Sequence, residues 1–283
     1  MHQEDKTEVS CFSEYDSLKN VILCEPRFMR ISQVINETQR RYQKENIEVE
    51  KAIVQHQTFV EVLKNNGIET HILPSKEKYP EQVFTRDIGF AVGEVLFISD
   101  MKMQIRQGEE GILKEWLNTI GIKYIDLVED QTEGGDVIID RKTVYIGLSE
   151  RTTAGAVEKI QSHLKDYTVI PIPIKKEILH LDCIFNIISD TEALIYKDGL
   201  NESEYKLLAK RFDLIEVSKE EQFSMGVNVL SLGNKKIISL PQNAEVNQEL
   251  SKRGYEVIKI DFSEIIKSGG SFRCCTLPIK RIP

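Results

Sequence analysis

Two adjacent cysteines, Cys274 and Cys275, stand behind a glycine pair in SGGSFRCCTLP, residues 268–278. Three other short stretches place acids and an imidazole far upstream. They are FTRD, which ends at Asp87; EGGD, with Glu133 and Asp136; and HLD, with His180 and Asp182. If these residues converge, their chemistry is specific. Carboxylates would hold a cation with several N–H donors, and a guanidinium matches because its planar fork pairs bidentately with them. A thiolate would attack the electrophilic central carbon. A free thiol titrates near about 8.5, so it needs a neighbouring cation, either an imidazolium or the bound substrate. His180 would protonate the departing amine and then activate water. Asp182 either orients the imidazole or binds substrate, and the residues alone leave both roles open.

Each stretch by itself has a bland reading. FTRD is a polar strand start, and EGGD is a tight turn that glycine permits. His-x-Asp is most often a hydrogen-bonded pair, here expected on one face of a strand because side chains alternate. Adjacent cysteines usually fill core. What raises the four above this is their spacing along the chain.

A hairpin–helix–strand unit recurs. Helices that run into a strand are expected in 59–73, 111–127, 156–172, 205–217 and 244–260. Three of these helices end at Gly67, Gly121 or Gly254, fitting C-caps. Hairpins are expected to turn near Gly93-Glu94, Arg141-Lys142, Asp190-Thr191 and Gly233-Asn234. The units open near Phe84, Glu133, His180, Met225 and Gly269, 44 to 49 residues apart. One unit is split: LKNVILCEP (18–26) supplies a strand against which the C-terminal CCTLPI closes. Such units bury their apolar faces only against one another. A closed ring, a five-bladed α/β propeller with a central channel, satisfies them and leaves short sheet edges. Periodicity alone also admits an open α/β sheet. Residues 1–12 read as a loose tail and 13–283 as one catalytic domain. The longest expected helix covers 38–66, and PRFMRISQVINE (26–37) before it is a candidate flap.

Composition narrows the classes. The net charge of −8 argues against a nucleic-acid partner. No apolar run approaches the roughly 18 residues of a membrane span. The polar start MHQEDKTEVS is not a secretory signal. Five cysteines, an odd number without a Cys-x-x-Cys pair, argue against a disulfide framework or a structural zinc site. Free thiols in a reducing cytoplasm follow, and the chemistry above needs neither metal nor organic cofactor. The oligomeric state stays open, a homodimer being one option.

The set FTRD, EGGDV, HLDCIF and GGSFRCCTLP, with SEYDSLKNVILCEP (13–26), resembles the guanidine-modifying enzymes. These include dimethylarginine dimethylaminohydrolases, arginine deiminases and amidinotransferases. The resemblance runs from about Ser13 to Ile279. It implies the five-bladed α/β propeller, the pentein fold. It implies Cys274 as nucleophile, His180 as general acid/base, and Asp87, Glu133 and Asp182 as acids that grip the guanidinium or orient the histidine. Cys275 then falls at a variable position and is expected on the opposite face of its strand. Arg273 departs from several relatives; it would depress the thiol pKa or point outward. Arg86 and Arg30 are candidates for a substrate carboxylate, and Asp136 for substrate binding. The size resembles the dimethylarginine dimethylaminohydrolases. The leading expectation is hydrolysis of arginine or an N-substituted relative to a ureido product and an amine. Amidinotransfer to an amine, and guanidine binding without turnover, are the alternatives.

Overall fold

The computed structural model describes residues 8–283. Strand β1 (Ser17–Cys24) is followed by helices α1 (Glu37–Tyr42) and α2 (Val49–Asn65) and by β2 (Glu69–Leu73). Four units then follow the expected order. The first holds β3 (Gly89–Val92), β4 (Val95–Ile98), α3 (Glu109–Ile120) and β5 (Ile125–Asp126). The second holds β6 (Val137–Asp140), β7 (Thr143–Leu148), α4 (Ala154–His163) and β8 (Thr168–Pro173). The third holds β9 (Phe185–Ile187), β10 (Glu192–Ile195), α5 (Glu202–Ala209) and β11 (Asp213–Glu216). A short helix α6 (Lys219–Phe223) leads to the fourth: β12 (Leu230–Gly233), β13 (Lys236–Ser239), α7 (Ala244–Lys252) and β14 (Glu256–Lys259). Strand β15 (Leu277–Ile282) pairs antiparallel with β1, so the chain's two ends complete a fifth blade.

The strands form five three-stranded sheets, each an antiparallel pair plus an outer parallel strand. The parallel strand needs a crossover, which is why a helix precedes each one. Alternation within a strand sends successive side chains to opposite faces. Thus Ile138 and Tyr145 pack toward the third blade, while Val137, Ile139, Val144 and Ile146 pack toward the first. The apolar core accordingly divides into five clusters, and each spans two neighbouring blades. The cluster holding Ile22, Cys24 and Ile279 with Ile88, Leu96 and Ile98 joins the last blade to the first. That seam closes the ring and excludes the open sheet. No described helix is long and apolar enough to cross a membrane.

Several local expectations needed correction. The tail reaches less far than residue 12: Ser10 pairs with β15 and Cys11 with the β3–β4 turn, through Ser10 N–H to Ile279 and Cys11 N–H to Gly93, both 2.8 Å. Residues 1–7 of that expected tail lie outside the described residues. The helix expected over 38–66 is two helices. Asn46 takes a left-handed φ of 60° and its Oδ1 accepts from Ile31 N at 2.9 Å, so the chain turns there. The last hairpin turns at Asn234-Lys235, one residue late. The helix-ending glycines do adopt positive φ, 74°, 72° and 83° at Gly67, Gly121 and Gly254.

Candidate active site

The expected site residues lie where each blade's innermost segment begins, and most sit on turns rather than strands. His180 immediately precedes a single 3-10 turn, Leu181–Cys183, and Asp182 lies within it, so the two do not share a strand face. Glu133 precedes a second such turn, Gly134–Asp136. Cys274 lies in the tight turn before β15, where Thr276 Oγ1 donates to the carbonyls of Phe272 and Arg273 at 3.1 and 3.0 Å. Cys275 therefore has no strand face to occupy; it packs wholly into the core under α2.

Cys274, His180 and Asp87 border one small cavity, together with Glu81, Arg106 and Arg151. His180 Nε2 lies 2.8 Å from Glu133 Oε2, and its Nδ1 lies 3.7 Å from Asp87 Oδ1. Cys274 Sγ is 3.5 Å from Asp182 Oδ2. The EGGD glycines make this approach possible. A Cβ on Gly135 would sit 2.7 Å from His180 Nδ1 and 2.9 Å from Asp87 Oδ1, and one on Gly134 would meet the Arg86 carbonyl at 2.1 Å. The free volume is only about 10 Å³, roughly one water. Ile35 and Arg151 divide it from an outer cleft of about 480 Å³. Arg151 Nη2 holds the Ile35 carbonyl at 2.9 Å. The expected flap segment thus lies over the mouth, anchored by Asn36 Nδ2 on the Ser268 carbonyl at 2.9 Å.

Burial and charge set the protonation states. Burial opposes a charged imidazole, yet Asp87 and the hydrogen bond to Glu133 outweigh it and raise His180 to about 9. Burial would raise Glu133, but His180 and Arg151 bring it down to about 2. Burial holds the Cys274 thiol well above its ordinary value, and the Asp182 charge adds to this. The resting pair is therefore an imidazolium and a neutral thiol. Arg273 does not point outward, and its charge does not offset the burial that keeps the thiol protonated. It is buried, with Nη1 on Asp182 Oδ2 at 2.6 Å and Nη2 on Glu14 Oε1 at 3.1 Å.

Glu133 and Asp182 do not border the cavity themselves but reach it through their contacts with His180 and Cys274. Three further expected binding residues, Asp136, Arg86 and Arg30, also fall outside it. Asp136 is a brace: its Oδ1 accepts from Leu181 N at 2.8 Å and its Oδ2 from Ser149 Oγ at 2.6 Å. It thereby ties the EGGD turn to the HLD turn. Arg86 is buried beside Glu14, and Arg30 is exposed, donating to the carbonyls of Phe28 and Glu77. Neither borders the cavity.

Arg106, Arg151, Glu81 and Asn228 escaped the sequence reading. Arg106 donates to Asp87 Oδ2 at 2.6 Å and Arg151 to Glu133 Oε1 at 3.2 Å. Each lies 19 or 18 residues after its acid, the length of a hairpin that leaves the mouth and returns. That spacing was a readable signal. Asn228 is the fourth blade's contribution: its Oδ1 accepts from the backbone N–H of Ser271 and Cys274 at 3.2 and 3.1 Å. Glu81 is buried, accepts from Ser268 and Gln39, and is raised by burial to about 7. Ligand atoms of Asp87, Glu133 and His180 lie within 4.8 Å of one another, near enough to share a cation. Arg106 and Arg151 already bring positive charge to those same carboxylates.

The profile of the family described as "N,N dimethylarginine dimethylhydrolase, eukaryotic" matches residues 25–281. The chain belongs to this family. It is similar to the uncharacterized protein YkgA of Bacillus subtilis (strain 168), 52% identical over 96% of this chain and 95% of that one. The N(G),N(G)-dimethylarginine dimethylaminohydrolase of Pseudomonas aeruginosa is 24% identical over 80% of this chain and 88% of its own. Among solved structures, the N-terminal domain of ArgZ, a cyanobacterial arginine dihydrolase, superposes with a TM-score of 0.86 at 22% identity, covering 94% of this chain and 98% of that domain. The last likeness establishes the five-bladed α/β propeller.

Proposed function

We propose that this protein hydrolyses the guanidinium group of arginine or an N-substituted arginine-like amino acid through a thiouronium on Cys274. One observation carries the reading: sulfur, imidazole and the Asp87 carboxylate face a single small cavity, and Asp182 touches the sulfur. Asp87 Oδ1 has no hydrogen-bond partner among the described residues although it is buried. It is a ready acceptor for a substrate N–H.

The order of events follows from the resting charges. A guanidinium enters between Asp87 and Asp182 once the Ile35–Arg151 partition opens. Its positive charge beside Sγ favours loss of the thiol proton to solvent. The thiolate attacks the central carbon, and His180, still protonated, passes its proton to the departing amine as the C–N bond breaks. The remaining thiouronium carries the substrate's charge. His180, now neutral and held by Glu133, takes a proton from water. The hydroxide adds to the carbon, its remaining proton passes to the sulfur as the C–S bond breaks, and a neutral ureido product leaves. Arg151 and Arg106, the cations bordering the cavity, are better placed than Arg86 or Arg30 to meet a substrate carboxylate.

The test is product formation from arginine and methylated arginines without an added acceptor amine. A ureido product such as citrulline, abolished in Cys274→Ser, is expected. Turnover only when an acceptor amine is present would overturn hydrolysis in favour of amidinotransfer, and binding without turnover would overturn catalysis.

A further inference from the structure

Where the five blades meet, three arginines are buried together. Arg86, Arg273 and Arg281 are 3%, 1% and 2% exposed. Arg273 spans the second and third blades and the N-terminal segment through Val137 O, Asp182 and Glu14. Arg281, on β15, donates to the carbonyls of Asp16 and Ser231 at 2.7 and 3.0 Å. Arg86 precedes the first blade and has Glu14 Oε2 at 3.7 Å from its Nη2.

The charges at this junction do not balance. Three guanidinium groups meet two carboxylates, Glu14 and Asp182. The Asp16 carboxylate is taken by Arg141 at 2.5 and 2.9 Å. The Cys11 thiol is held neutral, pushed by burial to about 12. One positive charge is left over, and a buried charge without a counter-charge is costly. The donors are in surplus as well. Among the described residues, Nε and Nη2 of Arg86 and Nε of Arg273 have no hydrogen-bond partner. Burial and the nearby Arg273 lower Arg86 to about 10, which agrees with a surplus of positive charge there.

The geometry points to a small monovalent anion, chloride in particular, bound at this junction by the unpaired N–H groups of Arg86 and Arg273. A single excess charge calls for a monovalent ion rather than sulfate or phosphate. The substrate's own carboxylate does not fill the role, because Arg86 does not border the cavity. The site braces the nucleophile's turn from behind its backbone: Arg86 N–H donates to the Cys274 carbonyl at 3.0 Å, and Arg273 is the preceding residue. The inference is independent of which guanidine is the substrate.

The experiment pairs bromide diffraction with melting curves on the full chain. Crystals grown with bromide in place of chloride should show an anomalous peak within about 3.5 Å of Arg86 Nε or Nη2. Chloride at millimolar levels should raise Tm by about 2–4 °C over gluconate at equal ionic strength. Arg86→Gln should abolish that difference. If the variant does not fold, the two wild-type measurements decide alone. Ordered water on the Arg86 donors with no halide peak would overturn the inference. So would a peak without chloride-specific stabilisation, since that is binding only at crystal concentration.

Discussion

Asp182 touches the Cys274 sulfur at 3.5 Å with the same oxygen that accepts from Arg273 at 2.6 Å. The carboxylate therefore does two things. It anchors a buried arginine, and it places a negative charge against a thiol that burial already keeps protonated.

Asp182→Asn separates these effects. Removing the charge should lower the thiol pKa, so that thiolate absorbance appears at lower pH than in wild type. Arg273 would lose a charged partner, and stability should fall by about 3–5 kcal/mol in urea unfolding. kcat/KM should collapse, because the guanidinium loses an acid beside the nucleophile. A thiol pKa unchanged or raised in the variant would contradict the assignment.

Gly135→Ala tests how tightly the mouth is packed. The added Cβ would press on His180 Nδ1 and Asp87 Oδ1 at 2.7 and 2.9 Å. A displacement of this kind should cost on the order of 10²-fold in kcat/KM, with the chain still folded by circular dichroism. Near-normal turnover would mean that His180 has freedom the structure denies it.

Arg151→Met should loosen the partition over the cavity, because Arg151 holds the Ile35 carbonyl at 2.9 Å. Iodoacetamide should then label Cys274 faster than in wild type, while the other four cysteines, all buried, stay slow. Equal labelling rates would show that Ile35 is held by other contacts.

The imidazolium predicts the alkaline limb of stability. His180 is raised from 6.5 to about 9, so its contribution is complete below pH 6.5 and is lost as pH rises through 9. Between those values wild type should lose about 1.4 kcal/mol per pH unit relative to His180→Gln. Glu81 and Glu109, raised by burial to about 7, lose stability in the same direction but at lower pH. Urea unfolding from pH 7.5 to 9, taken as the difference from His180→Gln, separates His180 from these acids and from the buried thiols, which are also raised. On the acid side, Glu133, lowered from 4.5 to about 2, contributes above 4.5 and is lost as pH falls toward 2.

The ring, and the convergence of four candidate positions on one mouth, were legible because both follow from a repeat. Apolar alternation marked the blades, and one polar stretch opened each of four units. Glu133, His180, Asp87 and Cys274 could be found that way because each starts a blade. Arg106 and Arg151 were hidden because they sit in loops after the hairpins, where charged residues are ordinary. Asn228 was hidden because an asparagine before a strand reads as a turn. Arg86 and Asp136 were misplaced for a related reason: each adjoins a site residue in sequence, but a tight turn sends its side chain elsewhere. The one-strand reading of His180 and Asp182 failed because a 3-10 turn begins right after His180 and contains Asp182, a turn that strand periodicity does not reveal.

The central claim is a covalent bond between Cys274 and the substrate's amidino carbon. Enzyme denatured during turnover of a guanidine substrate, digested and weighed, tests it most directly. The account predicts a substrate-derived adduct on the peptide carrying Cys274, absent from Cys274→Ser. Steady product formation with no adduct at Cys274, or an adduct mapped to another side chain, would contradict it.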